Sequence, residues 1–398
     1  MDQFDYDLPP EQIAQRPIEP RHNSRLMIVR TQPKARQKQL ELSYRFSQLP
    51  QILAQDYQSK VVLVRNNTKV IPARIVGQKS TGGEVELLLL KQKQVLPDKE
   101  IWECLTKPGL KPGQIAKFSP DLRAVCQSID GYTRLIEFNQ AQSSLMTSLL
   151  AIGQTPTPPY IDWQSEDEQE LRRQYQTIYA KHQGSAAAPT AGLHFSKEVN
   201  QALEQNGVEI EEVTLHVGLG TFQPVKTSNI RQHQMHSEWY RLENETAKRL
   251  NRAKKQGKRI IAVGTTTTRV LESCADYQSF TSSKAVLNPG QATLCPGQAT
   301  LNPSQATLCP GNAVLNPGQG ETDVFITPGY KFKFVDGLIT NFHLPKSTLL
   351  MLVSALVSQP NTNQPFINFN QSLVGQGYQK AIAAGYRFYS FGDSMLIV

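Results

Sequence analysis

Ala73-Arg-Ile-Val76, Glu84-Val-Glu-Leu-Leu-Leu-Leu90, Ile101-Trp-Glu-Cys-Leu105, Ile115-Ala-Lys-Phe118, Leu122-Arg-Ala-Val-Cys-Gln-Ser128 and Tyr132-Thr-Arg-Leu-Ile-Glu-Phe138 follow one another with only turns between them. The separators Thr81-Gly-Gly83, Lys111-Pro-Gly113 and Asp130-Gly131 are turn signals. Many short strands without intervening helices bury their apolar faces by closing into a small barrel or sandwich. Ser143–Ile152 has helical spacing and runs into Thr155-Pro-Thr-Pro-Pro-Tyr160, a linker composition. Residues 69–155 therefore form an expected inserted β-barrel domain.

Outward from that segment the texture is different. Arg25–Arg30 and Val61–Arg65 read as apolar strands on either side of a short helix, Phe46–Tyr57. Beyond the linker, helix and strand alternate. Glu166–Tyr175 is helical, and so is Ser196–Asn206, with Ser196 as N-cap and Gly207 at the C-terminal end. Val208–Val217 reads as a strand, Asn244–Gln256 as a basic helix and Arg259–Val263 as a strand. The segments Val335–Phe342, Ser347–Val357, Gln371–Ala384 and Ser394–Val398 continue the alternation. This is the pattern of an α/β domain with a parallel or mixed sheet, made of residues 1–68 and 156–398. Residues 285–320 fit neither unit. They hold no charge and repeat every seven residues, as in Asn288-Pro-Gly-Gln-Ala-Thr-Leu294 and Cys295-Pro-Gly-Gln-Ala-Thr-Leu301. A proline in each repeat forbids a coiled coil, and one apolar side chain in seven builds no core. The expectation is a disordered surface insertion.

The chain has 398 residues, with 42 Lys plus Arg against 34 Asp plus Glu. A net charge of +8 favours a polyanionic partner, although many basic enzymes never meet one. Met1–Pro10 carries three acids and no apolar run, unlike a secretory signal. Leu349–Val357 is the longest apolar stretch, well short of the roughly 20 residues that span a bilayer. Five cysteines without a C-x-x-C pair suggest neither a disulfide framework nor a zinc ribbon. The expected setting is the cytoplasm, with no membrane partner and a monomeric chain.

Three stretches carry candidate chemistry. Gly184-Ser-Ala-Ala-Ala-Pro-Thr-Ala-Gly-Leu-His-Phe195 leaves its backbone open, either for close approach by a ligand or for tight packing. Leu215-His-Val-Gly-Leu-Gly-Thr-Phe-Gln-Pro224 ends a strand, where ligands of open α/β sheets bind. Its Gly218-Leu-Gly220 is half of a dinucleotide fingerprint, without the third glycine or the helix. Ile260-Ile-Ala-Val-Gly-Thr-Thr-Thr-Thr-Arg269 runs from strand through a small polar turn into a helix, a cradle for a nucleotide or carboxylate. It has no Walker lysine. His233-Gln-Met-His-Ser-Glu238 lacks the H-E-x-x-H pattern, so acid–base or hydrogen-bonding roles are favoured over metal. Eight Lys and Arg between Arg241 and Arg259 mark either a solvated helix face or an RNA-phosphate contact.

Together these stretches resemble the S-adenosylmethionine:tRNA ribosyltransferase-isomerases of queuosine biosynthesis over nearly the whole chain. The resemblance rests on Phe4-Asp-Tyr-Asp-Leu-Pro-Pro10, Asn66-Asn-Thr-Lys-Val-Ile-Pro-Ala-Arg74 and Tyr175-Gln-Thr-Ile-Tyr-Ala180. It continues through Ala188–Phe195, Leu215–Phe222, Met235–Glu238 and Ala262–Thr266. Leu338-Ile-Thr-Asn-Phe-His-Leu-Pro-Lys-Ser-Thr-Leu349 and Gly385-Tyr-Arg-Phe-Tyr-Ser-Phe-Gly-Asp393 close it. It implies an α/β domain with an inserted barrel and no prosthetic group. The implied substrates are S-adenosylmethionine, as co-substrate, and a tRNA with 7-aminomethyl-7-deazaguanine at its wobble position. The implied products are epoxyqueuosine, adenine and methionine. A sulfonium acidifies the adjoining ribose 5′ carbon, so a base can start the reaction, and adenine needs a proton to leave. On this reading His216 or His236 is the base, His194 or His343 the acid, and Glu238 orients a histidine. Thr190, Gly192, Gly218, Gly220, Thr265, Thr266 and Thr267 fall to the co-substrate, and Arg249, Arg252 and Arg269 to RNA; no metal is expected. The rival readings are a metal-dependent hydrolase built on His233 and His236, and a non-catalytic RNA-binding protein.

Overall fold

Val61-Val-Leu-Val64 shows how the large sheet is built. Val62 and Val64 pack into one core with Met27, Ala262 and Leu338, whereas Val61 and Leu63 pack into another with Leu26, Ile261 and Ile339. Successive side chains of a strand point to opposite faces, so a run that is apolar at every position is buried on both. The computed structural model describes all residues except 36, 59, 163–166, 219–229, 234 and 278–312. Its nine-stranded mixed sheet runs, edge to edge, through Gly318–Thr322, Glu238–Leu242, Glu209–Leu215, Val61–Asn66, Arg259–Val263, Gly337–Asn341, Ser394–Ile397, Arg25–Val29 and Leu40–Arg45. The four strands from Glu209–Leu215 to Gly337–Asn341 are mutually parallel. Ser394–Ile397 then pairs antiparallel with Gly337–Asn341 and parallel with Arg25–Val29.

Helices cover both faces. Asn244–Lys255, Thr265–Cys274, Thr348–Leu356 and Leu373–Ala383 supply the first core with side chains such as Leu250, Val270, Leu350 and Tyr378. Leu49–Tyr57 and Lys197–Gln205 supply the second through Leu53 and Leu203. The Ser196 hydroxyl caps the latter helix by accepting from Val199 N–H, and Gly207 (φ +71°) ends it, as the sequence predicts.

The inserted unit is a closed antiparallel barrel of six strands: Arg74–Lys79, Glu84–Val95, Glu100–Lys107, Ile115–Lys117, Arg123–Asp130 and Thr133–Phe138. Helix Gln142–Ile152 docks on it through Leu145 and Leu149. The buried Glu100 carboxylate joins helix to barrel by accepting from Gln142 N–H and from Trp102 Nε1 at 2.7 Å. Arg74 and Gln154 exchange both backbone hydrogen bonds, at 3.1 and 2.7 Å, so the chain leaves and re-enters the α/β unit at one neck. Beside that neck Thr68–Val70 pairs in parallel with His182–Ser185.

The repeat segment falls largely at 278–312, outside the described residues. Its last residues correct the expectation of a disordered stretch reaching 320. Ala313–Leu315 pairs with Ala275–Tyr277, and Gly318–Thr322 forms the sheet edge beside Glu238–Leu242. Leu315 is buried against the first core, and Asn251 exchanges hydrogen bonds with its backbone N–H (2.8 Å) and carbonyl (3.0 Å).

Candidate active site

The four parallel strands end side by side, and their carboxyl ends lead into His216, Asn67-Thr68, Gly264-Thr265 and Phe342-His343. This is where open α/β sheets bind ligands. Segment 184–194 crosses this edge. Ser185 Oγ accepts from Val217 N–H at 2.8 Å, and Ala191 Cβ lies 3.7 Å from where a side chain on Gly264 would begin. His194 Nε2 stands 3.3 Å from Asn341 Oδ1 at the far end. Ala186, Ala187, Ala188 and Ala191 are all at most 3% exposed. Of the two readings left open for this run, tight packing is the one the structure shows.

The cradle expected at Gly264–Thr267 is closed to solvent in the structure. Thr265, Thr266 and Thr267 are buried, and Gly192 is buried as well. The Thr267 hydroxyl donates to Val263 O at 2.8 Å, and the Thr266 hydroxyl lies 3.4 Å from Asn66 Nδ2.

The candidate histidines divide into two groups. His194 and His343 are buried at one end of the edge. His194 stacks on Phe46 and bonds Ser24 Oγ at 2.8 Å, while His343 Nε2 bonds Thr340 Oγ1 at 2.9 Å. Burial pushes their pKa values down to about 4 and about 3, so both rings are neutral near pH 7. The cavity that His343 shares with half-buried Thr190 measures about 30 Å³, room for little more than a water. His216 and His236 stand elsewhere, on a cleft of about 670 Å³ between the barrel and the sheet edge. Gly218, Glu238 and Trp239 line the same side, and Trp102, Glu103 and Tyr132 line the barrel side. Gly220 lies outside the described residues.

Within the cleft His216 is half-buried, its ring stacked on the Trp239 indole with centroids 4.9 Å apart. Its pKa is lowered to about 4, chiefly by burial and secondarily by the charges of His182 and Arg241. Exposed His236 meets the barrel directly, Tyr132 Oη lying 3.2 Å from its Nδ1. The rim is closed by a second bridge, Lys91 of the barrel to Glu321 at 2.5 Å. His233 sits against Phe325 instead. Among the described residues no three His, Cys, Asp or Glu side chains are grouped to hold a metal ion.

Glu238 and Arg269 meet in the structure, and the burial of Arg269 corrects its assignment to RNA. Arg269, expected on RNA, is 4% exposed and pairs with the Glu238 carboxylate. Its remaining N–H groups donate to Val324 O at 3.3 Å and Thr322 O at 3.0 Å. Helix Thr265–Cys274 packs this arginine inward, so it serves the fold. Glu238 was expected to orient a histidine. It accepts from Gly218 N–H at 2.9 Å, which ties down the turn two residues beyond His216. On the basic helix Arg252 is exposed, whereas exposed Arg249 is bound to Glu211 at 2.5 Å. Neither lines the cleft. The sequence reading missed Thr68, Trp239 and Tyr132. Thr68 follows a strand end just as His216 does, so the same rule applied twice finds it.

The mixed sheet and the barrel thus face each other across a cleft lined by two imidazoles, His216 and His236. The chain belongs to the queuosine biosynthesis protein family, whose model matches residues 1–397. It is 44% identical to the S-adenosylmethionine:tRNA ribosyltransferase-isomerase of Desulfitobacterium hafniense, over 100% of this chain and 99% of that one. The protein of the same name from Thermotoga maritima is 40% identical, again over 100% and 99%. A crystal structure of S-adenosylmethionine tRNA ribosyltransferase from Thermotoga maritima aligns over 100% of both chains, at 31% identity and a TM-score of 0.47. Family membership displaces the hydrolase and RNA-binding readings.

Proposed function

We propose that this enzyme transfers and isomerises the ribosyl group of S-adenosylmethionine onto 7-aminomethyl-7-deazaguanine at the wobble position of a tRNA. Epoxyqueuosine forms, and adenine and methionine leave. The observation that carries this reading is 44% identity, end to end, with a relative bearing that name. The cleft suits it. Its volume of about 670 Å³ lies in the usual range for small-molecule sites, and Trp239 and Tyr132 offer aromatic surface to a base. The rest of the reading is a monomer in the cytoplasm with no prosthetic group; among the described residues no helix is long and apolar enough to cross a membrane.

His216 is the proposed base. Its side chain lines the cleft, and its lowered pKa keeps the ring uncharged at neutral pH, able to take a proton from the carbon beside the sulfonium. So low a value weakens the base, which makes the alignment of its lone pair more important. His236 lines the same cleft and is the proposed donor to departing adenine. His343 is three strand spacings from His216, roughly 14 Å at about 4.8 Å per strand. We assign it, with His194, to holding the edge loops. Glu238 positions the 216–218 turn, and Arg252 and Arg249 remain proposed phosphate contacts. The test is nucleoside mass spectrometry of precursor tRNA incubated with the protein and S-adenosylmethionine. Cofactor-dependent epoxyqueuosine is the expected result, and unchanged precursor with folded protein overturns the proposal.

A further inference from the structure

His216 is held on three sides, by Thr68, Trp239 and Gly184. Its Nδ1 stands 2.8 Å from Thr68 Oγ1. Its ring lies within 19° of parallel to the Trp239 indole. Gly184 fits against its far nitrogen: at φ +140°, a Cβ there would sit 2.7 Å from Nε2 and 3.0 Å from the neighbouring ring carbons. Among the described residues no hydrogen bond reaches Nε2.

Thr68 is fully buried, and its hydroxyl has a second neighbour, the His182 carbonyl oxygen at 3.5 Å. A hydroxyl has one proton to donate. If Thr68 gives it to Nδ1, the carbonyl contact is lost and Nε2 must carry the ring hydrogen. If Nδ1–H donates to Thr68 and Thr68 donates to the carbonyl, the first contact is a full hydrogen bond, the second a long, weak one at 3.5 Å, and Nε2 keeps its lone pair. The second arrangement makes two bonds where the first makes one. We propose that Thr68 is a positioning residue that holds His216 in its Nδ1–H tautomer, leaving Nε2, beside Gly184 on the cleft wall, as the acceptor. The relay runs from His216 Nδ1–H to Thr68 Oγ1–H to the His182 carbonyl, with no carboxylate in it. Its catalytic meaning rests on the reading of His216 as the base.

The experiment combines histidine-selective ¹⁵N NMR with steady-state kinetics on the full chain. In the unaltered protein the His216 signal, identified by its loss in His216→Gln, shows the Nδ1–H form. Thr68→Val, equal in shape but unable to accept, shifts that signal toward the Nε2–H form. The same variant lowers kcat by about 10- to 100-fold, with KM for S-adenosylmethionine changing much less. Thr68→Ser restores both tautomer and turnover. An Nε2–H signal in the unaltered protein overturns the proposal whether or not Thr68→Val folds, and so does a Thr68→Val protein with unchanged tautomer and kcat. Full turnover in His216→Gln removes the base assignment alone, because the tautomer measurement still decides what Thr68 does.

Discussion

Replacing Arg269 by Met separates a buried structural cation from an RNA contact. The Arg269 and Glu238 side chains are 5% and 3% exposed, so the variant leaves a carboxylate buried without its cation. Breaking a buried pair from one side costs about 3–5 kcal/mol, because the remaining charge stays desolvated. The Val324 and Thr322 carbonyls lose their donor as well. At about 2.1 cal/mol/K per residue, a chain of 398 residues loses a little over 1 °C of Tm per kcal/mol. Arg269→Met should therefore melt roughly 4–6 °C lower in a thermal scan. The double variant Arg269→Met with Glu238→Gln removes the stranded charge and should recover more than half of that loss. Filter binding of tRNA across a salt series supplies the contrast, since loss of a phosphate contact lowers the log–log salt slope by about 1. We expect the slope to be unchanged. An unaltered Tm with a reduced slope would refute the burial argument and return Arg269 to the RNA surface.

Three further outcomes follow from the same geometry. His194, His216 and His343 have folded-state values of about 4, about 4 and about 3, below the usual 6.5, so from pH 6.5 down to about 4 the unfolded chain binds protons that the native chain does not. Stability must fall with pH in that window, by up to about 1.4 kcal/mol per pH unit for each ring, and His343→Asn should flatten the slope of denaturant midpoints between pH 7 and 5; parallel curves would contradict this. Gly184→Ala places a Cβ 2.7 Å from His216 Nε2 in a backbone conformation that favours glycine, and turnover should fall at least roughly 10-fold in a folded protein. Ser196→Ala removes the cap of helix Lys197–Gln205 and should cost about 1 kcal/mol in urea unfolding with kcat unchanged.

Much of the architecture was legible because it depends on local pattern. Val61–Val64 has to be buried on both faces wherever it lies, and the six strands after Pro72 follow one another with no helix between them. What escaped was pairing between distant segments. The threonines after Gly264 look like a ligand cradle in isolation, and the alanines before Thr190 look like open backbone. In the fold Ala191 lies against Gly264 and both stretches are buried, which is the tight-packing alternative for the alanines and leaves the threonines no open cradle. Arg269 was assigned to RNA for its charge, but the direction of its side chain is set by a helix whose neighbours are not visible locally. His216 and His236 were picked for their residue type and their place after or beside strands, and they do share a cleft. Thr68, Trp239 and Tyr132 have side chains of little intrinsic reactivity; their interest comes from what they touch.

The position of Ser394–Ile397 has a bearing on how the polypeptide is born. This strand lies inside the sheet, bonded to Gly337–Asn341 on one side and Arg25–Val29 on the other. During synthesis Arg25–Val29 and its hairpin partner Leu40–Arg45 leave the ribosome early and wait, with an unpaired edge, for almost the whole chain to follow. The barrel can close meanwhile, since all its strands lie within Arg74–Phe138 and none needs a later segment. An exposed edge invites pairing with other chains. Until residue 394 arrives the nascent molecule therefore carries an open edge, and slowing translation late in the message would lengthen that interval.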